Sequence, residues 1–216
     1  MRRKLSEETR SGDSIVKAFA LLASGTTALV FAGTLNAQAS PTIVKNASDL
    51  RNIDNNLSGD YILGANIDLS TFPNWTPIGD GSNPFTGSLD GTFCTSPNDP
   101  LSCKTYKISN LRITSSSSAV GLFGVVKGAI RNVGLENVSI QLTVNDGIYA
   151  TVGALAGNIG PGSVDNAYTT GKLDVSLSNS AAATNTGGLV GYLSGTVKRS
   201  FSTVDVHVSG AMDRTA

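Results

Sequence analysis

The sequence predicts an all-β protein, specifically a right-handed parallel β-helix (a β-solenoid) with an N-terminal signal segment and a short capping helix. A glycine-framed pentad recurs three times in the second half of the 216-residue chain, at residues 120–124, 153–157 and 187–191. The closing glycines lie about 33 residues apart, a spacing typical of stacked repeats. The repeat glycines are Gly121, Gly124, Gly153, Gly157, Gly187, Gly188 and Gly191.

The same order of parts follows each pentad. A further glycine precedes a short strand led by Ile130, Val164 or Val197. A longer strand of alternating polar and apolar residues then completes the unit. These longer strands are predicted at residues 138–142, 173–177 and 204–208.

One such unit cannot bury its apolar face alone, so successive units are expected to stack with equivalent strands in parallel. The glycines would serve the corners, where φ is positive or where neighbouring backbones approach closely. An antiparallel sandwich with glycine-rich turns is the alternative architecture.

Residues 1–39 are predicted to be a signal peptide. A basic start is followed by an apolar stretch at 18–35, and Ala37-Gln38-Ala39 suits cleavage after Ala39. Polar residues at 24–27 interrupt the apolar stretch, which favours cleavage over an uncleaved anchor. We therefore expect no stable membrane span in the mature chain, and a secreted or cell-surface location on a Gram-negative bacterium.

Residues 40–118 are predicted to form an N-terminal cap and the first coils, and residues 119–216 the three repeats. Ser48 is the expected cap of a helix over 49–56, whose Leu50 and Ile53 share one face. That face could cover the open end of the sheet stack.

Further strands are expected at 66–70, 84–91 and 106–113, the last with a one-residue slip at 109–110. Two prolines in 71–79 favour an irregular crossing, under which Trp75 is expected to pack.

Cys94 and Cys103 flank a turn-rich loop. Export to an oxidising compartment favours a disulfide between them. Two unpaired thiols, or a metal site lacking its other ligands, are the alternatives.

Composition limits the function classes. Charged residues make up 15% of the chain and the formal net charge is zero, so the basic patch that nucleic-acid binding requires is absent. Since His207 is the only histidine, a catalytic centre that needs several histidines is excluded.

The repeats resemble GLUG-motif repeats, whose core reads Gly-Gly-Leu-Val-Gly. Residues 186–197 are most similar to the motif, and residues 157–168 are similar with one inserted residue. The upstream region resembles the segment that precedes such repeats in filamentous-haemagglutinin-like adhesins, except that the cysteine loop replaces a short turn. The resemblance implies a large secreted bacterial protein, such as an adhesin or the non-catalytic region of an immunoglobulin A peptidase.

We therefore expect a non-catalytic exported surface protein or adhesin fragment that binds a host or cell-surface glycan or protein and needs no cofactor or metal. The alternatives are an accessory region of a secreted peptidase and a β-helix polysaccharide lyase or glycosidase, which would use carboxylates. In the enzyme alternative, stacking would bring Asp174 and Asp205 close together on one outer face. The candidate carboxylates are Asp68, Asp90, Asp165, Asp174 and Asp205.

Three other features have structural interpretations. Residues 80–83 are expected to form a turn rather than a calcium loop, and His207 is expected to face solvent. Residues 209–216 lack an evident cap, which predicts either a fragment of a longer array or a fraying last coil. Specificity is expected in the variable loops at 143–148 and 178–186.

Overall fold

A computed structural model describes residues 40–96, 98–178 and 183–210, all within the unit Ala39–Ala216. The predicted signal peptide and its cleavage site lie outside the described residues, as do part of the loop at 178–186 and residues 211–216. Across the described ranges, no helix has the length and apolar character needed to cross a membrane.

The N-terminal region begins with strand β1 (Thr42–Val44), helix α1 (Ala47–Arg51) and a 3-10 helix (Asn52–Asn55). Leu50 and Ile53 are fully buried, as their spacing predicts. The prediction that Ser48 caps the helix is wrong, because the helix begins earlier. Asn46 is the cap, and its side-chain oxygen accepts a hydrogen bond of 2.9 Å from the Asp49 backbone N–H.

Short strands and loops connect this region to the repeats. The irregular crossing predicted at 71–79 contains no strand, and Trp75 is buried beneath it. The Trp75 indole N–H donates a hydrogen bond of 3.1 Å to the Leu122 carbonyl. The strands here are β2 (Asp60–Leu63), β3 (Ile67–Asp68), β4 (Ser88–Asp90), β5 (Thr92–Cys94), β6 (Cys103–Thr105), β7 (Lys107–Ser109) and β8 (Arg112–Ser115).

Each of the three repeats supplies four strands. The first contains β9 (Ala119–Val120), β10 (Phe123–Val126), β11 (Ala129–Arg131) and β12 (Gly134–Val144). The second contains β13 (Tyr149–Gly153), β14 (Ala156–Ile159), β15 (Ser163–Asp165) and β16 (Tyr168–Leu177). The third contains β17 (Ala183–Gly187), β18 (Val190–Leu193), β19 (Thr196–Lys198) and β20 (Phe201–Ser209).

Equivalent strands of successive repeats lie side by side in parallel sheets. Sheet A has the order β1-β2-β4-β11-β15-β19, and sheet B has the order β20-β16-β12-β7-β3 with β8 also paired to β12. Two three-stranded sheets contain β10-β14-β18 and β17-β13-β9. The protein is therefore all-β and built mainly of parallel sheets. Among the described strands, β5 and β6 pair with each other in antiparallel orientation.

Apolar side chains from all these sheets meet in one continuous core. Phe85 and Phe123 pack with their ring centroids 4.9 Å apart, which joins the upstream region to the first repeat. In the long strands, Ile140 pairs with Leu173 and Leu142 pairs with Val175, and all four side chains are buried. Alternation along the strands therefore places one set of side chains inside and the other outside.

The pentads occupy bends between the first and second strand of each repeat. Of the two roles predicted for their glycines, the positive-φ role is wrong, because the described glycines with positive φ are Gly79, Gly147, Gly171 and Gly210. Close backbone approach explains the pentads instead. A Cβ atom added at Gly157 would lie 2.5 Å from the Val120 nitrogen, and one at Gly191 would lie 2.5 Å from the Val152 nitrogen.

Candidate binding surface

The outward-facing side chains of sheet B form a surface that we call the outer polar face. Strand register arranges them in rows that run across the sheet. The rows are Arg112–Ser139–Lys172–Asp205, then Thr114–Gln141–Asp174–His207, then Thr143–Ser176–Ser209. Because positive, negative and neutral groups alternate within it, this face offers hydrogen-bond donors and acceptors without a strong field of one sign.

Asp174 and Asp205 lie on the same outer face of the adjacent strands β16 and β20, but they are not directly opposite each other. Asp174 lies opposite His207, and Asp205 lies opposite Lys172, so the two carboxylates are offset by two positions along their strands. The Lys172 ammonium lies 3.8 Å from the Asp174 carboxylate, and both side chains are well exposed. These groups are therefore arranged as surface charge pairs rather than as two facing carboxylates. His207 is exposed, as expected.

A second polar cluster lies at the start of the long strands. The Glu136 carboxylate accepts hydrogen bonds of 2.7 Å from the Lys107 ammonium and 2.7 Å from the Tyr168 hydroxyl. These two donors hold the pKa of Glu136 below its usual value, with the Lys107 hydrogen bond as the larger cause. Desolvation, together with the hydrogen bond to Glu136, raises the pKa of Tyr168 to about 12.

Tyr168 also contacts the neighbouring coils. Its ring lies next to Gly134, where an added Cβ atom would come within 2.5 Å of the ring. On the next coil, Phe201 stacks on Tyr168 with a centroid distance of 5.6 Å and an interplanar angle of 11°. Phe201 lies on β20, at the end of sheet B, and 59% of its area is accessible.

Two ladders of amide side chains join neighbouring strand segments at positions with left-handed backbone. In the first ladder, Asn166 donates to Asn132 over 2.8 Å, and Asn132 donates to Asp90 over 2.9 Å. Asn132 and Asn166 have left-handed backbones, with φ of 57° and 51°. Asparagine tolerates this conformation better than most residues with a side chain.

The second ladder follows the same principle on sheet B. Asn137 donates to Asn110 over 2.6 Å, and Asn110 donates to Asp68 over 2.8 Å. The slip predicted at 109–110 corresponds to Asn110, whose φ is 62°. The Asn110 hydrogen bond and two further bonds from Ser70 lower the pKa of Asp68. Each ladder therefore ends on a carboxylate as its terminal acceptor.

The remaining candidate residues have local structural partners. Asp165 pairs with Arg199, and Asp90 pairs with Arg131 at 2.7 Å. The Asp80 carboxylate accepts backbone hydrogen bonds of 2.8 Å and 2.7 Å from residues 82 and 83, which is the geometry of the expected turn. Among the described residues, no group of three or more His, Cys, Asp or Glu side chains is placed to hold a metal ion.

The two cysteines lie opposite each other on β5 and β6, and a disulfide joins them. The bond closes the hairpin that carries the loop at 95–102. It therefore fixes a local excursion at the side of the stack.

Sequence reasoning missed both amide ladders and the Glu136 cluster. A signal for the first ladder is present in the sequence, because an asparagine follows the short strand in two successive repeats, at Asn132 and Asn166. The third repeat has Arg199 at this position. The contact of Tyr168 with Glu136 has no comparable signal, because the other two repeats have no glutamate at the position of Glu136.

Comparison with known proteins gives partial matches. No family model matches the chain. A Gly-rich membrane protein of Evansella cellulosilytica is 33% identical over 147 residues, which are 63% of this chain and 15% of that protein. Halomucin of Haloquadratum walsbyi is 34% identical over 148 residues, which are 60% of this chain and 2% of that protein.

The chain thus spans a small part of the length of both relatives. Among solved structures, a candidate immunoglobulin A1 protease from Bacteroides ovatus aligns over 78% of this chain and 77% of its own chain. Its sequence identity is 18% and its TM-score is 0.35, so this likeness carries no argument about fold or activity. The comparisons therefore show partial similarity to a protein named as a Gly-rich membrane protein and to one named halomucin.

Proposed function

We propose that this chain is an exported bacterial surface protein, or the adhesin-like part of one, and that its parallel β-helix of GLUG-like repeats is a non-catalytic binding scaffold. Parallel pairing of equivalent strands in four sheets supports the β-helix. The names of the two partly matching relatives are compatible with a surface or extracellular location. The ligand class we propose is a glycan or protein of a host or neighbouring cell.

The observation that carries the proposal is the outer polar face. Its rows of Ser, Thr, Gln and mixed charges stand in register on a parallel sheet. Such a face can form many moderate hydrogen bonds with the hydroxyl groups of a glycan or with a polar protein surface. Binding sites built on strands hold their side chains more precisely than sites on loops.

The states of the carboxylates support a structural rather than a catalytic role. A general acid at neutral pH needs a raised pKa, as in glycosidases. Asp68 and Glu136 instead have lowered pKa values, because each accepts hydrogen bonds within the stack. Asp174, another of the candidate carboxylates, lies beside Lys172 on its own strand and opposite His207 rather than opposite a second carboxylate.

The proposal is tested by measuring binding of the purified chain to a glycan array and to intact bacterial and host cells. We expect binding that weakens when Lys172 and Asp174 are both changed to alanine. The matched control changes Ser163 and Thr196 to alanine, because both are exposed on sheet A, away from the outer polar face.

Two outcomes would reject the proposal. The first is binding no greater than background on every array and cell surface. The second is lyase or hydrolase activity on a polysaccharide that disappears in Asp174→Asn, since that result would favour the enzyme alternative.

A further inference from the structure

A cleft with a volume of about 630 Å³ opens between the upstream region and the start of the first repeat. Its walls come from residues 54–57, from the loop at 76–83, and from residues 117–119, where the chain enters β9. This volume lies within the range of small-ligand sites in proteins. The residues that line the cleft are different from those of the outer polar face.

Hydrogen bonds within the chain fix the walls of this cleft. The Arg51 guanidinium donates to the Thr76 carbonyl and to the Asp54 carboxylate. It also lies over the Trp75 ring, 5.4 Å from the ring centroid. The Asp54 carboxylate in turn accepts a hydrogen bond of 3.1 Å from the Gly79 N–H. The cleft is therefore preorganised, and both oxygens of Asp54 already have partners.

A second set of polar groups lines the cleft and forms no hydrogen bond with any other described residue. One oxygen of the Asp80 carboxylate holds its own turn, whereas the other oxygen has no such partner. The same is true of the Asn83 side-chain amide and of the hydroxyl groups of Thr76, Ser117 and Ser118. The cleft therefore offers a ligand one charged acceptor, one amide and several hydroxyl groups.

This set of groups favours a neutral ligand that is rich in hydroxyl groups. The Asp80 carboxylate accepts hydrogen bonds from hydroxyl groups, but it repels phosphate and carboxylate groups. An apolar ligand is also disfavoured, because it would remove the polar groups from water without replacing their hydrogen bonds. The half-buried residues Leu57, Pro77 and Ala119 add apolar surface, against which the C–H groups of a sugar ring can pack.

We propose that this cleft binds a short neutral saccharide. The free oxygen of Asp80 accepts a hydrogen bond from one sugar hydroxyl, and the Asn83 amide binds a second. The hydroxyl groups of Thr76, Ser117 and Ser118 complete the polar contacts. Because the cleft is separate from the outer polar face, this inference does not depend on the ligand binding proposed there.

Proton–nitrogen correlation NMR on the isotope-labelled chain, with EDTA present, tests the proposal. The probes are the methyl glycosides of glucose, galactose, mannose and N-acetylglucosamine, together with lactose and maltose. About four hydrogen bonds of ordinary strength correspond to a dissociation constant of about 1 mM, so titration to about 20 mM is sufficient. We expect at least one probe to shift the amide signals of Gly79 and Gly81, which both line the cleft.

Two substitutions test the contacts themselves. Asp80→Asn keeps a side-chain oxygen to hold the turn, but it replaces the free acceptor with an amide donor. It should raise the dissociation constant by about tenfold or more, because a bond to a charged acceptor is lost. Asn83→Ala removes a neutral partner and should raise it by about fivefold. Circular dichroism checks that both variants fold.

Asp99→Asn is the matched control. The Asp99 carboxylate also holds a turn through one oxygen, which accepts a hydrogen bond of 2.9 Å from the Leu101 N–H. Asp99 lies in the loop between β5 and β6, and this loop does not line the cleft. We therefore expect Asp99→Asn, which removes the same charge, to leave the dissociation constant unchanged.

Four outcomes would overturn the proposal. The first is that no probe shifts the two glycine signals, and the second is that Asp80→Asn or Asn83→Ala binds as tightly as the unchanged chain. The third is an equal loss in Asp99→Asn, which would indicate a general effect of charge. The fourth is binding that requires added calcium, because a cation would then hold the sugar. The outer polar face is tested by other substitutions, so either proposal can fail without the other.

Discussion

Replacing Asn132 should destabilise the protein through two separable effects. The Asn132 side chain donates to Asp90 over 2.9 Å and accepts from Asn166 over 2.8 Å, so Asn132→Ala removes both bonds. A neutral hydrogen bond contributes about 1 kcal/mol, and a bond to a charged group about 1.5–3 kcal/mol. Because the site is only partly buried, about 2 kcal/mol for the pair is a suitable estimate.

The backbone adds a second cost. Asn132 has φ of 57°, and placing most L-residues in that region costs roughly 1–2 kcal/mol. Asparagine reduces this cost and glycine removes it, whereas alanine bears it in full. Asn132→Ala should therefore lower the free energy of unfolding by about 3 kcal/mol, and Asn132→Gly by about 2 kcal/mol.

Equilibrium unfolding in urea, followed by circular dichroism, measures these differences. Asn158→Ala is the matched control, because Asn158 lies in strand β14 and its side chain forms no hydrogen bond within the described residues. We expect Asn158→Ala to change stability by less than about 0.5 kcal/mol. Equal losses for Asn132→Ala and Asn132→Gly would refute the backbone effect. Losses in both variants as small as that of the control would refute the ladder as a source of stability.

Three further predictions concern the corners of the coils and their charges. Arg199→Asn should raise the free energy of unfolding by about 0.5–1 kcal/mol in the same urea assay. Arg199 has φ of 48°, which asparagine tolerates better, and its exposed ion pair with Asp165 contributes little to stability. A loss of stability in this variant would contradict the prediction. Gly157→Ala should lower the free energy of unfolding by more than about 2 kcal/mol and lower the thermal midpoint. Gly81→Ala is the control and should be nearly neutral, because no atom lies within 4 Å of the added Cβ. Equal effects of the two substitutions would contradict the close-approach explanation. Folding lowers the pKa of Asp68 from 3.8 and the pKa of Glu136 from 4.5. The two carboxylates therefore stabilise the folded state fully at a pH above 3.8 and 4.5, and this stabilisation is lost as the pH falls through their lowered pKa values in the folded protein. Urea unfolding across that acidic range should show the decline, and the double variant Asp68→Asn/Glu136→Gln should show a smaller one.

The short strands of the repeats could be predicted from sequence almost residue by residue. Ile130, Val164 and Val197 were expected at equivalent positions, and the structure pairs them directly. The prediction succeeds because a glycine and a bend fix the start of each short strand. With its start fixed, the alternating pattern of the short strand leaves little freedom in its register against the equivalent strand of the next repeat.

The long strands show the limit of the same reasoning. Alternation alone leaves the register uncertain by two residues, because a shift of two keeps every side chain on its face. Alternation would equally allow Asp174 to lie directly opposite Asp205, whereas the structure pairs Asp174 with His207. Counting from Val164 and Val197 would have given the observed pairing.

The amide ladders were missed for a different reason. Each hydrogen bond joins residues in different coils, and its value depends on a left-handed backbone at Asn132 or Asn110. Sequence patterns report which face a residue occupies, but they do not report corner geometry. A search for asparagines at the repeat period would have identified Asn132 and Asn166.

The central claim is that each of the three repeats adds one strand to each of the four parallel sheets, and that neighbouring strands follow one another at a fixed spacing. Asp60, Ser88, Ala129, Ser163 and Thr196 follow one another across sheet A. With four strand spacings of about 4.8 Å, the backbones of Asp60 and Thr196 should lie roughly 19 Å apart. Spin labels on cysteines at these two exposed positions, in a variant with Cys94 and Cys103 changed to serine, allow this distance to be measured by pulsed electron–electron double resonance. A narrow distribution near 20 Å is the predicted result, and a main distance beyond about 30 Å would contradict the stacked arrangement.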